Sequence, residues 1–218
     1  VKMLFRDRHE AGKLLAQKLL DLKGNPNAIV LGIPRGGVVV AYEVAKTLGL
    51  PLDVFVARKI GAPGNPELAI GAVASDGTVV LDELSISLMG VPKQYIEKET
   101  ERQKEEIRKR IQAYRGGREG YSLQGKIVIL VDDGVATGAT IIASLRAIKA
   151  SNPSQTILAV PVAPPDTVEK LRCEADKVIC LYTPSPFWAV GAFYVNFEQI
   201  SDEEVQALLA ELASGEEK

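Results

Sequence analysis

The 218-residue chain has one histidine, His9, and two cysteines, Cys173 and Cys180. Without clustered histidines or a second cysteine pair there is no zinc-ligand spacing. A Ser-His-Asp triad could be assembled only through His9, which lies in a polar N-terminal stretch, and is discounted. Both cysteines read as core thiols, since a free cysteine packs as a small hydrophobe. No apolar run reaches the length of a membrane span, and no signal peptide is visible at the N-terminus. The expectation is a cytoplasmic protein without a membrane partner. Neither charge is in excess: 26 Lys and Arg face 28 Asp and Glu, a net charge of −2. That removes any general attraction for nucleic acid. What the chain does have is apolar residues, 46% of the total, enough for one α/β domain with an appendage.

The most informative stretch is residues 127–140. Ile127 to Val131 form an apolar, β-branched run of the kind found in a strand buried on both faces. Asp132 and Asp133 follow at once. A loop of small residues comes next, with Gly134, Val135, Ala136, Thr137, Gly138, Ala139 and Thr140. A helix is expected over Ile141 to Lys149. Backbone N–H groups of a glycine-containing turn, joined by the free N–H groups of a helix start, suit an anion. The Thr137 and Thr140 hydroxyls can donate to the same oxygens, while the two carboxylates suit sugar hydroxyls or a hydrated cation. The combination describes a phosphorylated sugar. The plain alternative is a βα turn with solvated acids.

This string resembles the phosphoribosyl-diphosphate (PRPP) signature of type I phosphoribosyltransferases. The resemblance implies that Asp132 and Asp133 hold the ribose hydroxyls and that Val135 to Thr140, with Gly134 leading in, receive the 5′-phosphate. A second strand, glycine turn and helix lie at Ala28–Ile33, 32–37 and Val38–Leu48. By resemblance the Pro34, Arg35, Gly36 and Gly37 turn binds the pyrophosphate of PRPP and contains a cis peptide before a basic residue, here Arg35. Next comes an expected strand, Leu52 to Ala57, ending in Arg58 and Lys59. The loop Ile60 to Pro66, with two Gly and two Pro, reads as a lid that closes over the reacting centre. Arg58 and Lys59 would then face the diphosphate. The implied catalytic set is Asp132, Asp133, Arg35 and Lys59. The implied cofactor is Mg2+, held mainly by PRPP, with Asp132 and Asp133 reaching it through ribose or water.

The rest of the chain reads as a scaffold. An amphipathic helix is expected from the spacing of Leu14, Leu15, Lys18, Leu19 and Leu22, with Arg6 and Arg8 as surface charges. Residues 67–73 return as a strand, and Asp76-Gly77 turns the chain into Val79–Leu81. A long charged helix over Pro92 to Tyr114, within an insertion of about 82–124, has a narrow seam of Ile96, Ile107, Ile111 and Tyr114. Glu105–Lys109 and Glu106–Arg110 are its i,i+4 pairs. The seam could face the core or a second subunit, which leaves a homodimer open. Thr156–Val160 and Lys177–Leu181 are strands, Pro161, Pro164 and Pro165 mark the loop between, and Asp166–Arg172 is a short helix. Strands alternating with helices predict a doubly wound, mainly parallel sheet, with residues 1–181 as the core.

Residues 182–197 hold Tyr182, Phe187, Trp188, Phe193, Tyr194 and Phe197, half of the chain's aromatics. They form a minor core or, by resemblance, the hood that receives the acceptor, within a C-terminal subdomain of 182–218. Phe187 and Trp188 are candidate acceptor contacts, since aromatic faces stack on planar rings. Ser201 opens a terminal helix with Glu204 completing a capping box, and residues 213–218 are expected to fray.

The implied partners are PRPP and a small nitrogenous acceptor. A PRPP-sensing regulator without catalysis is the alternative; balanced charge and the lack of a helix-turn-helix signature weigh against it. A phosphatase or receiver with Asp132 as phosphoryl acceptor ranks last, because the position wanted for its second acid is Gly134. Two departures disfavour a 6-oxopurine acceptor. Ala136 stands where those enzymes carry an acid, and residues 156–169 contain no lysine.

Overall fold

The computed structural model describes residues 2–215. Its centre is a five-stranded, wholly parallel sheet in the order β2-β1-β6-β7-β8. The strands are β1 (Ala28–Gly32), β2 (Leu52–Val54), β6 (Ile127–Val131), β7 (Gln155–Val162) and β8 (Lys177–Tyr182). Their apolar runs follow from burial on both faces, with side chains alternating between two cores. Ala28 and Val30 of β1 and Ile129 and Val131 of β6 point into one core with helix α2 (Gly36–Leu48). Ile29, Leu31, Val128 and Leu130 point into the other, with α5 (Ala139–Ala150) and α6 (Pro165–Arg172). Helices on both faces make the sheet doubly wound. Pro161 lies inside β7 and not in the loop after it, between Val160 and Val162, which pair with Cys180 and Tyr182 of β8.

The strand expected over 52–57 divides. β2 stops at Val54, and the chain passes into a second, antiparallel sheet of β3 (Ala57–Ala62), β4 (Asn65–Ala74) and β5 (Val79–Leu81). Residues 60–66 are therefore the tip of a hairpin and not an open loop. Ile60 and Ala62 are buried among Val56, Ile70, Val73, Val91 and Ile107. Glycine and proline content suggests a loop here, but two apolar anchors, Ile60 and Ala62, hold the turn down.

The insertion holds a short helix α3 (Glu83–Met89), which sequence patterning missed, and α4 (Lys93–Arg115). Ile107 and Tyr114 are buried on the α4 seam. The surface pairs form at i,i+3 spacing, Arg108 with Glu105 and Lys109 with Glu106. Arg115, in the last turn, makes a two-pronged salt bridge to buried Asp53 of β2, at 3.0 and 2.8 Å.

Both ends of the chain are tied to the core. The first helix, α1 (Arg8–Ala16), is shorter than its apolar pattern: Leu14 is exposed, and Leu19 and Leu22 are buried from a following 3-10 turn. Residues 4–6 lie along 193–196: Leu4 and Phe5 N–H donate to the Phe193 carbonyl, and Val195 N–H donates to that of Phe5. The last helix, α7 (Asp202–Gly215), packs Val205 and Leu209 into the α2 core. Glu204 N–H donates to the Ser201 hydroxyl at 3.1 Å, as the cap requires. Residues 213–215 stay helical, and 216–218, also expected to fray, lie outside the described residues. Cys173 is exposed, against expectation, while Cys180 is part-buried and its thiol is pushed up to about 11 by burial.

Candidate functional site

β1 and β6 are neighbours, with Gly32 opposite Val131. On leaving the sheet, β1 leads to α2 on one face and β6 to α5 on the other. The crevice outside their carboxyl ends is a topological switch point, where α/β sheets bind ligands. Both glycine turns of the sequence open into it. Ile33 N–H donates to the Val131 carbonyl at 3.0 Å and holds the two turns together. The Pro34–Arg35 peptide bond is cis, and α2 begins immediately afterwards at Gly36.

Gly36 and Gly37 bring the first turn against the acid pair. A Cβ on Gly36 would fall on Asp133 Oδ2 and stand 2.6 Å from Arg8 Nε. One on Gly37 would stand 2.7 Å from Asp132 Oδ1. Only glycine permits this approach, and a ligand that fills one turn necessarily borders the carboxylates.

The acids are not solvated surface charges. Asp132 Oδ1 accepts from Asp133 N–H at 2.8 Å. Asp133 Oδ2 accepts from Arg8 Nε at 2.9 Å, and the Asp133 carbonyl accepts from the Tyr194 hydroxyl at 2.6 Å. Burial, and then the neighbouring Asp133 charge, raises the Asp132 carboxyl well above the ordinary carboxylate range. Burial also lifts Asp133, against the pull of the Arg8 guanidinium. Two crowded carboxylates with one cation between them favour a ligand that donates hydrogen bonds or brings positive charge.

The loop after the acids is braced from below. Gly134 packs where a Cβ would stand 2.5 Å from Val190 Cγ1. Val135 N–H donates to the Val162 carbonyl, and the Thr167 hydroxyl donates to the Ala136 carbonyl at 2.7 Å. Gly138, at φ +88°, turns the chain into α5, and its carbonyl accepts the first helical bond, from Ile142. Ala136, Thr137, Ala139 and Thr140 remain exposed above this frame. The free N–H groups of the helix start and both hydroxyls are thus available to an anion.

The basic candidates are engaged elsewhere. Arg35 Nη1 lies 3.9 Å from Asp202 at the start of α7. Arg58 Nε donates to Gln103 of α4 at 2.6 Å. Lys59 pairs with Glu67 across the hairpin at 2.9 Å. It also lines a cavity of about 600 Å3 between the antiparallel sheet and α5, which reaches Ala139.

Of the two candidate acceptor contacts, Phe187 lines a cavity of about 340 Å3 with Ala136, Thr137, Thr167, Asp166 and Lys170. Trp188 does not line it and is 78% exposed. Lys170 stands one residue past the stretch in which the sequence showed no lysine.

The phosphoribosyl transferase domain model matches residues 6–74 and 64–198. The chain belongs to this family. Two phosphoribosyl transferase relatives from Mycobacterium tuberculosis strains, each named "Putative phosphoribosyl transferase", are 46% identical over 206 residues, 94% of this chain. That match covers 46% of each relative, so the chain spans about half their length. The crystal structure of TT1426 from Thermus thermophilus superimposes with a TM-score of 0.86 at 48% identity, covering 96% of this chain and 99% of that one.

Within this candidate site, three residues carried no clear sequence signal. Arg8, a surface charge by its sequence context, is 8% exposed and pairs with Asp133. Tyr194 and Thr167 act on backbone carbonyls, which carry no sequence signal. For Arg8 there was a weak one: it follows the helix-capping Asp7, which accepts from Glu10 N–H at 2.8 Å and fixes where the helix, and so the arginine, begins.

Proposed function

We propose that the protein transfers the 5-phosphoribosyl group of PRPP to a small nitrogenous acceptor and releases pyrophosphate. The observation that carries this reading is the meeting of two anion-suited turns on adjacent strands, with Asp132 and Asp133 between them. In this reading the N–H groups at the start of α5 and the Thr137 and Thr140 hydroxyls take the 5′-phosphate. Asp132 and Asp133 accept from the ribose hydroxyls. The Pro34–Gly37 turn takes the diphosphate, and Arg35, Arg58 and Lys59 supply charge to it. The Arg35 and Lys59 ion pairs are exposed, and such pairs contribute at most about 1 kcal/mol, so a diphosphate can recruit both cations at little cost.

A lone pair on the acceptor nitrogen attacks C1 of the ribose as the C1–O bond to pyrophosphate breaks. Pyrophosphate leaves with that electron pair, and the acceptor's surplus proton passes to solvent. The transition state carries oxocarbenium character, as in glycosyl transfer. Catalysis then rests on alignment and on stabilising the leaving group, with no covalent enzyme intermediate.

No three His, Cys, Asp or Glu side chains gather as a metal site among the described residues. Two adjacent carboxylates fit a magnesium ion held mainly by PRPP oxygens, with Asp132 and Asp133 reaching it through ribose or water. When bound, magnesium would offset charge on the departing pyrophosphate. The cavity lined by Phe187, Ala136 and Thr137 lies beside the 5′-phosphate loop and is the place for the acceptor.

The test is a screen of nucleobases, small amines and small acids for pyrophosphate release from PRPP with magnesium. One acceptor class giving stoichiometric release is expected. PRPP binding without release from any acceptor would favour a PRPP sensor instead.

A further inference from the structure

Arg8 joins four separate parts of the chain. It opens α1, and its Nε donates to Asp133 Oδ2 at 2.9 Å. Its Nη1 donates to the Glu198 carbonyl at 2.6 Å. The guanidinium carbon lies 3.9 Å from the centre of the Phe197 ring. Its Nε and Nη2 lie where a Cβ on Gly36 would be, at 2.6 and 2.9 Å. A guanidinium stacked on an aromatic face and bonded along its edges has little freedom left. Its orientation is fixed by three neighbours other than the carboxylate it serves.

We propose that Arg8 is a positioning residue for the ribose: it holds Asp133 by one carboxylate oxygen so that the other is presented to a sugar hydroxyl. The proposal rests on the PRPP reading of the site. Its physical content is rotamer control. An aspartate has two oxygens, and one that is free to turn can spend both on Asp132, on backbone N–H groups or on water. With Oδ2 committed to Arg8, the direction of Oδ1 is set before ligand arrives. The same bond offsets part of the penalty that burial places on the Asp133 charge. Because Phe197 and Glu198 lie in the C-terminal segment, the aim of Asp133 also depends on how that segment packs over the site.

Arg8 could instead be only a staple between the two chain ends. Two ligands separate these roles. PRPP has a ribose and needs Asp133, whereas inorganic pyrophosphate needs the glycine turn but no sugar contact. Calorimetry with magnesium would compare both ligands on wild type, Arg8→Gln and Arg8→Lys, with circular dichroism to check the fold. The expected result is about a tenfold or greater loss of PRPP affinity in R8Q, the worth of one charge-assisted bond, with pyrophosphate affinity unchanged. R8K should recover part of the loss, and R8Q should cost little in a protein already carrying Asp133→Asn. Equal loss of both ligands, unchanged PRPP affinity, or unfolding of both Arg8 variants would overturn the proposal. If wild type binds pyrophosphate but not PRPP, the PRPP reading itself fails and Arg8 has no ribose to position.

Discussion

Gly37 of α2 lies directly against Asp132: a Cβ on the glycine would stand 2.7 Å from the carboxylate Oδ1 and 3.0 Å from the aspartate Cα. The second distance is to backbone, which cannot swing aside. Gly37→Ala must therefore displace either the start of α2 or the acid pair. Overpacking of this kind costs about 1–3 kcal/mol, readable by urea unfolding. PRPP affinity should fall further than stability does, because both proposed ligand turns move. Normal affinity in G37A would mean that the crevice is not the ligand site.

The raised Asp132 carboxyl sets a pH dependence of the ligand-free protein. A group whose folded pKa lies above its unfolded value binds more protons when folded, so stability falls as pH rises between the two. Asp132→Asn removes that loss and keeps an oxygen for the Asp133 N–H bond. D132N should then be more stable than wild type near neutral pH, by on the order of 1 kcal/mol for each pKa unit separating the two states. The gain should vanish as pH falls to about 4, the ordinary aspartate value. Paired urea titrations across this range decide it; a gain independent of pH would assign the effect to packing.

The parallel sheet and both glycine turns were legible because each strand is a short apolar run bounded by a turn. In β1 and β6 burial on two faces leaves that run almost no alternative. The hairpin of 57–74 was not legible as such. Its tip is rich in Gly and Pro, and part of the burial of Ile60 and Ala62 that pins it comes from Val91 and from Ile107 of α4, far away in sequence. Arg8 was misread for a related reason. An arginine near the N-terminus is usually solvated, and only the return of Phe197 and Glu198 makes a socket for it. Acids and glycines showed in the sequence because their spacing is local; the residues that orient them did not, because their contacts are long-range.

Lys59 tests the proposed charge supply to the diphosphate. Its partner Glu67 is an exposed side chain, held below its ordinary value chiefly by the hydrogen bond from Lys59. Breaking an exposed pair alters stability by less than about 1 kcal/mol. Lys59→Ala should thus leave the melting temperature nearly unchanged while weakening PRPP binding about tenfold, as loss of a charged hydrogen bond does. Glu67→Gln, which frees the lysine, should not weaken it. Equal effects of the two variants on PRPP would remove Lys59 from the site.

Trp188 is the sole tryptophan and is 78% exposed, so its fluorescence reports one place in the C-terminal segment. Its emission should be that of a solvated indole without ligand. Stacking on a planar acceptor should quench it and shift it to shorter wavelength. If an acceptor that releases pyrophosphate leaves the emission unchanged, Trp188 has no contact with it, and Phe187 alone remains as the aromatic candidate.

The central claim is that Asp132 and Asp133 hold the ribose of PRPP between two phosphate-binding turns. Titration calorimetry of PRPP with magnesium, on wild type and on the Asp132→Asn, Asp133→Asn double variant, tests it most directly. The account predicts saturable binding to wild type and a loss of at least about a hundredfold in the double variant, for two charge-assisted contacts, with its circular dichroism unchanged. Equal PRPP affinity in the two folded proteins, or no binding to wild type at millimolar PRPP, would contradict it.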